Sequence, residues 1–197
     1  LAGARMQTPA APASRAGSKT HTLPRTSLSR INGLAAQFVS EPEMILAYLE
    51  PLPPDSPQLP VICAAADKAV QTRPDYADLR YFAAYAAFRA GDLPHARELV
   101  DCATRLNPQF KAALILAGRI CLQQNEHAAA LTNLQQALAA GADYPDVYVL
   151  LGDAWQARGD LVRAAKAYRQ ALCKNHRLTE ARRKLGAISA GRNGGPV

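Results

Sequence analysis

The chain has 197 residues, 49% of them hydrophobic and 20% charged, with only 12 Gly, 14 Pro and 4 Cys. That is enough apolar material for a sizeable core, and it excludes a disordered polyelectrolyte, a collagen-like fibre and a disulfide miniprotein. No uninterrupted apolar run reaches about 20 residues, so no transmembrane segment is expected. The formal charge of +7 sits at the ends. Residues 1–30 carry Arg5, Arg15, Lys19, Arg25 and Arg30 with no acid, and 176–197 carry five basic residues against Glu180. The stretch 31–175, with 13 basic and 15 acidic residues, is net −2. A dedicated nucleic-acid binder spreads its basic footprint across the body of the domain, so no specific nucleic-acid partner is expected.

In chain order, residues 1–28 read as a basic, disordered arm: the first 26 are rich in Ala, Pro, Ser, Thr and Arg and show no apolar stripe. The same acid-free start resembles an organelle transit peptide. The chain begins at Leu1 rather than Met, which predicts a fragment or processed form of a longer protein. From Ser29, Ile31, Leu34, Ala35 and Phe38 fall on one face of a helix. Ser40 and Glu43 form an S-x-x-E pattern, which predicts a capping box opening a second short helix with Met44, Ile45, Tyr48 and Leu49. The prolines of PLPPDSP, residues 51–57, then require extended or turned backbone.

Beyond residue 57 the helical pattern repeats with a period of 34. Ala69, Ala103, Ala137 and Ala171 keep that spacing, as do Ala96, Ala130 and Ala164, Gly118 and Gly152, and Pro74 and Pro108. Gly91, Asn125 and Gly159 align at turns and are followed by Asp92, Glu126 and Asp160. Gly and Asn best tolerate the left-handed position that ends a helix. Asp is a strong N-cap for the next helix, whereas Glu126 is a poorer one. Each period is therefore a helical hairpin. Gly118 and Gly152 let its two helices approach, and Leu134 and Tyr168 fill the space between them. One hairpin cannot bury its own apolar face, so successive units must stack.

The segment 144–172, with Leu151-Gly152, Trp155, Ala164, Tyr168 and Ala171, resembles a tetratricopeptide repeat, or TPR. Residues 111–144 resemble it with Ala117-Gly118, Cys121 in place of the aromatic, Ala130, Leu134 and Ala137. Residues 77–110 keep Gly91-Asp92, Ala96, Ala103 and Pro108, with Ala83-Ala84 in place of Leu-Gly. Residues 58–74 match only a second helix. The resemblance implies an all-α, right-handed solenoid of antiparallel helix pairs. It comprises N-terminal helices and a partial repeat over 29–76 and three repeats over 77–110, 111–144 and 145–178. A capping helix over 179–190 and a flexible tail over 191–197 complete it. Arg182, Arg183 and Lys184 are expected on the wet face of the cap, with Ala181, Leu185 and Ile188 on its dry side.

The same resemblance implies a concave groove that takes a partner protein or peptide. Its facing residues would be Asp78, Tyr81, Tyr85, Phe88 and Arg89 in the first unit. The second supplies Ala112, Ile115, Arg119, Leu122 and Gln123, and the third Asp146, Val149, Asp153, Gln156 and Ala157. Family members that clamp chaperone C-terminal carboxylates use Lys and Asn where this chain has Tyr81 and Tyr85, neither of which supplies the charge. The aromatics favour an apolar helix or extended peptide, oriented by Arg119 and Asp153. The helices around 29–50 could equally cover Tyr81, Tyr85 and Phe88 from within.

No nucleophile elbow, phosphate loop or HExxH motif is present, and His127 beside Glu126 reads as a solvated histidine on the convex side. Catalysis is not expected, nor is a cofactor. Cys63, Cys102, Cys121 and Cys173 include no CxxC pair, and Cys173 with His176 would make at most half a zinc site, so no metal is expected. Small apolar thiols fit a reducing compartment, which favours the cytoplasm unless an upstream signal directs the chain to an organelle or periplasm. The resulting expectation is a non-catalytic interaction scaffold. The alternatives are a recognition domain of a larger transferase or hydroxylase, or a chaperone for secretion, pilus or envelope assembly.

Overall fold

A computed structural model describes the backbone over residues 25–193 and side chains over 28–190. Ten helices and no strand occur among the described residues. They are α1 (Arg25–Ser40), α2 (Met44–Leu49), α3 (Leu59–Thr72), α4 (Ala77–Arg89), α5 (Leu93–Leu106), α6 (Lys111–Gln123), α7 (His127–Ala139), α8 (Pro145–Ala157), α9 (Leu161–Lys174) and α10 (Thr179–Asn193). The basic arm proposed for 1–28 lies outside the described residues as far as residue 24. Its last four residues, from Arg25, are the first turn of α1. The C-terminal tail proposed for 191–197 is helical to Asn193 and otherwise lies outside the described residues.

The pairs α4–α5, α6–α7 and α8–α9 form the three hairpins. Each joint is built by the residues the repeat placed there. Gly91, Asn125 and Gly159 adopt φ of 80°, 61° and 81°, the left-handed region in which a Cβ is strained. The amide of Asp92 then closes on the Ala87 carbonyl at 3.0 Å, and that of Asp160 on the Trp155 carbonyl at 3.0 Å. The Asp92 side chain accepts from the His95 amide at 3.1 Å and Asp160 from the Arg163 amide at 2.9 Å, so both cap the following helix. Glu126 makes no cap bond; its carboxylate instead takes Arg97 Nη1 at 2.9 Å.

Within each hairpin the alanine columns set the approach. Ala96, Ala130 and Ala164 are fully buried, as are Ala69, Ala103, Ala137 and Ala171. Beside them, a Cβ on Gly118 would stand 2.7 Å from Leu134 Cδ2, and one on Gly152 would stand 2.3 Å from Tyr168 Cε1. The small residue on the first helix and the large one on the second are therefore a matched pair in both units. The core runs from helix to helix along the stack: one cluster spans α1 to α6, a second α6 to α9, and a third α8 to α10.

The N-terminal part differs from expectation in two ways. Ser40 does not open α2: it is the last residue of α1, and its Oγ donates back to the Ala36 carbonyl at 3.3 Å. The N-cap of α2 is Glu43, without a side-chain cap bond. Second, α1 packs along α3 and supplies the partner helix that the partial repeat lacked. Ile31, Ala35 and Phe38 are buried with Ile62, Ala65, Ala66 and Ala69 in one cluster. Residues 41–58 are thus an insertion between the two helices of a fourth hairpin, and α2 within it lies against α3 and α4 through buried Ile45 and Leu49.

Adjacent hairpins are also tied by polar groups. His95 Nε2 on α5 lies 2.8 Å from Asp67 Oδ1 on α3, both half-exposed. Burial works against the imidazolium, but the Asp67 hydrogen bond and the charges of Asp67, Asp92 and Glu98 outweigh it and hold the His95 pKa above its ordinary value. A raised folded-state pKa contributes stability that is complete below about pH 6.5 and is lost as pH rises through the folded value. Wild type is therefore expected to exceed His95→Gln in stability at about pH 5.5, by under about 1 kcal/mol because water screens the pair, and to lose that margin by about pH 8. Paired urea melts at the two pH values check this; a margin that grows with pH contradicts it.

Candidate ligand-binding groove

The first helices of the hairpins, α4, α6 and α8, line one side of the stack, followed by α10. Two hollows lie along this side. Tyr81, Tyr85, Ala112, Ile115 and Arg119 surround the first, about 140 Å³ between α4 and α6. The second, about 500 Å³, lies between α6, α8 and α10 and is lined by Ile115, Arg119, Asp146, Val149, Asp153 and Glu180, among others. Ile115 and Arg119 belong to both, so the two hollows form a continuous trough.

The aromatic end is partly internal. Tyr81, Tyr85 and Phe88 are half-buried, packed against the apolar cluster that runs from α1 to α6. The Tyr81 ring lies 5.1 Å from those of Phe82 and Phe110. Its phenol pKa is raised, chiefly by burial, so it stays neutral. Arg89 is taken up elsewhere: its Nη2 donates to the Leu52 carbonyl at 2.7 Å and fastens the insertion to the end of α4. Asp78 is exposed near the start of α4.

In the middle, Arg119 is exposed, with its guanidinium 5.0 Å over the Phe88 ring and no acidic partner among the described residues. Gln123, at the end of α6, is also exposed. At the far end Asp153 is committed internally. Lys184 Nζ donates to its two oxygens at 2.6 and 2.8 Å and lies 2.8 Å from Glu180 Oε1. The Tyr168 hydroxyl donates to Asp153 Oδ1 at 2.7 Å, with Gln156 Oε1 2.8 Å away. Burial, then the Asp153 bond and charge, push the Tyr168 pKa up. Lys184, placed on the wet face of α10 from sequence, is only 18% exposed and points inward to this pair. Its bonds to the partly buried Asp153 carboxylate offset the hydration that the ammonium gives up there, while Arg182 and Arg183 stay exposed.

His127 is half-buried rather than solvated, and its Nδ1 is enclosed without a partner among the described residues. It makes no acid–base pair with Glu126, whose carboxylate is bound to Arg97. Cys63 is half-buried; burial, then the charges of Asp67 and Asp92, push its thiol up to about 11, so it is a poor nucleophile and metal ligand at neutral pH. Cys173 and His176 are exposed, and no group of three or more metal-ligating side chains occurs among the described residues. No described helix is long and apolar enough to cross a membrane.

Stacked helical hairpins with a trough along their first helices define an α-solenoid repeat protein. Two family models match: one described as tetratricopeptide repeat over residues 64–109, and one as TPR repeat over 118–159. Residues 64–109 and 118–159 of the chain are therefore tetratricopeptide repeats. No curated protein matches it significantly in sequence. Among solved structures it is similar to MamA residues 41 to the end from Desulfovibrio magneticus RS-1, at 16% identity, TM-score 0.68, covering 85% of this chain and 86% of that one. It is also similar to YrrB, described as a TPR protein with an unusual peptide-binding site, at 23% identity, TM-score 0.60, covering 66% of this chain and 67% of that one. A third similar structure is the first TPR of Spaghetti (RPAP3) bound to HSP90 peptide SRMEEVD, at 20% identity, TM-score 0.58, covering 59% of this chain and 93% of that one. These likenesses show the fold, an all-helical TPR solenoid.

Proposed function

We propose that the trough between α4, α6, α8 and α10 binds a segment of another protein and that the chain acts as a non-catalytic scaffold. The observation that carries this reading is the position of Arg119. It is an exposed cation without an acidic partner among the described residues, placed where the two hollows meet, with aromatic rings on one side and Val149 on the other. A peptide that sets an apolar side chain against Tyr81 and Tyr85 and an acidic group against Arg119 would satisfy both chemistries. Asp153 shapes the far wall but does not itself orient the ligand, because Lys184 and Tyr168 occupy its oxygens. Tyr81 and Tyr85 argue against a carboxylate clamp of the kind that takes chaperone C-termini, despite the peptide bound in the RPAP3 structure.

Peptides selected against the full chain from a display library test this. The combined substitution Tyr85→Ala and Arg119→Ala is expected to weaken the selected peptides tenfold or more, since anchoring aromatic and arginine side chains carry most of such affinities. Unchanged affinity in a variant that melts like wild type would remove the trough as the binding site.

A further inference from the structure

The second helices of the three hairpins form the outer side of the stack and differ sharply in charge. From sequence, α5 carries Arg97, Glu98, Asp101 and Arg105, and α7 carries no charged residue with its histidine neutral. By contrast, α9 carries Arg163, Lys166, Arg169 and Lys174 and no acid. The comparison holds position by position in the 34-residue register. Lys166 stands where Glu98 and Thr132 stand, and Arg169 where Asp101 and Gln135 stand. The fold therefore does not require basic residues there. Averaging charge over 31–175 concealed this concentration.

The exposed stripe of α9 holds more than charge. At about 100° per residue, Val162, Lys166, Arg169 and Cys173 fall within about 60° of arc, and all four are exposed. Val162, at 65%, is the most exposed large apolar side chain among the described residues, and Leu161 beside it is 39% exposed. Arg163, next to them, pairs with Asp160 at 3.4 Å and lies 4.6 Å over the Trp155 ring. Lys174 is 2.6 Å from Asp143. Lys166 and Arg169 have no acidic partner among the described residues. Lys166 and Arg163 also rim a cleft of about 360 Å³ between α7, α8 and α9, whose floor includes Leu138, Leu151 and Trp155.

We propose that the outer face of α9 docks the protein on an anionic lipid surface. Cations without internal partners meet the charge of acidic headgroups, and Val162 and Leu161 enter the interfacial layer between them. The cation-rimmed cleft beside them offers an apolar floor to a lipid. Charge alone would serve any polyanion, but a nucleic acid or an acidic polypeptide gives no reason to expose Val162 and Leu161 among the cations. This face lies outside the trough, so a membrane and a peptide could be held at once.

Flotation of the full chain with vesicles tests the proposal. Binding is expected to vesicles of phosphatidylcholine containing phosphatidylserine, to be absent with phosphatidylcholine alone, and to weaken with salt. Lys166→Ala with Arg169→Ala is expected to reduce it roughly 30-fold, each charge near the surface contributing a factor of about five. Val162→Ser is expected to reduce it several-fold while leaving its salt dependence unchanged. The arm variant Arg5→Ala with Arg15→Ala is expected to retain most of the binding. The α9 positions are exposed and the arm positions lie outside the described residues, and unchanged melting confirms that each variant is folded. Equal binding to both vesicle types, no binding by wild type, or loss in the arm variant but not in the α9 variant overturns the proposal. So does an unaffected Val162→Ser, or capture of polyglutamate or duplex RNA as tight as that of the vesicles.

Discussion

Gly152→Ala is expected to lower the melting temperature by roughly 5–10 °C, and of the described glycines it is the one where an added Cβ makes the shortest contact. The added Cβ would stand 2.3 Å from Tyr168 Cε1 and 2.6 Å from Cδ1, well inside van der Waals contact. The ring has nowhere to retreat. Tyr168 is among the largest fully buried side chains, it stands among Ala164, Ala165 and Ala171, and its hydroxyl is held by Asp153. Relief must come from moving α8 away from α9, which loosens the third hairpin and its contact with the cap. Overpacking of this kind costs about 1–3 kcal/mol and at times more, and about 1 kcal/mol moves the melting point of a chain this size by about 2–4 °C. Gly118→Ala is the internal control. Its Cβ would meet Leu134 at 2.7 Å, but an aliphatic side chain without a hydroxyl anchor turns aside more readily, so its cost should be smaller. Thermal melts followed by circular dichroism decide the matter. Gly152→Ala melting within about 1 °C of wild type, or above Gly118→Ala, would contradict this account of the close approach.

Asp153→Ala is expected to destabilise by about 1–3 kcal/mol, an effect unusual for a residue that also lines a groove. It leaves the buried Tyr168 hydroxyl with Gln156 Oε1 as its one remaining acceptor and Lys184, only 18% exposed, with Glu180 alone. Lys184→Met removes the ammonium and keeps the aliphatic stem, so Asp153 retains Tyr168 and the loss should be smaller. If the two act as one unit, the double variant is expected to cost less than the sum of the singles, with a coupling of about 1–3 kcal/mol. Additive losses would show that the pair does not hold α10 to α8. The pH dependence has a definite sign. Burial opposes the charged form of Lys184, but Asp153 and Glu180 outweigh it and hold the pKa above its ordinary value. On the Lys184 side the stabilisation is complete below about pH 10 and is lost as pH rises further through the folded value. Lys184 in turn holds the Glu180 pKa below its ordinary value, so that share is lost as pH falls through the folded value, and wild type and Lys184→Met should converge in stability both under strongly alkaline conditions and in acid.

Local chemistry made the repeat readable. A left-handed turn position admits Gly or Asn, a helix start favours Asp, and a close crossing demands Gly opposite a large side chain. Each requirement is met within a hairpin of 34 residues, so Gly91, Asn125, Gly159, Asp92, Asp160 and the pairs Gly118–Leu134 and Gly152–Tyr168 could be placed from their spacing. The lining of the trough at Tyr81, Tyr85, Ile115, Arg119, Val149 and Asp153 was legible for the same reason: a helix with a known buried face also has a known open one.

Other features depended on which distant groups met. The insertion at 41–58 broke the register, so nothing in the spacing joined α1 to α3; their shared apolar burial did. Glu43 follows Ser40 by three residues, but α1 continues through Ser40 and takes its hydroxyl, because backbone bonds already begun extend more readily than a new helix starts. Asp153 and Lys184 lie 31 residues apart on helices of different units, and a charged side chain on a short amphipathic helix reads as solvated until its neighbour is known. The sequence by itself determined the hairpin, its period, its turns and the open side of the stack, all set by interactions within one or two turns of helix. Only the tertiary structure decided that Arg89 and Asp153 serve the fold while Arg119 stays free. It also decided that α9 presents the outer cationic face, because pairing and exposure depend on the approach of residues far apart in the chain.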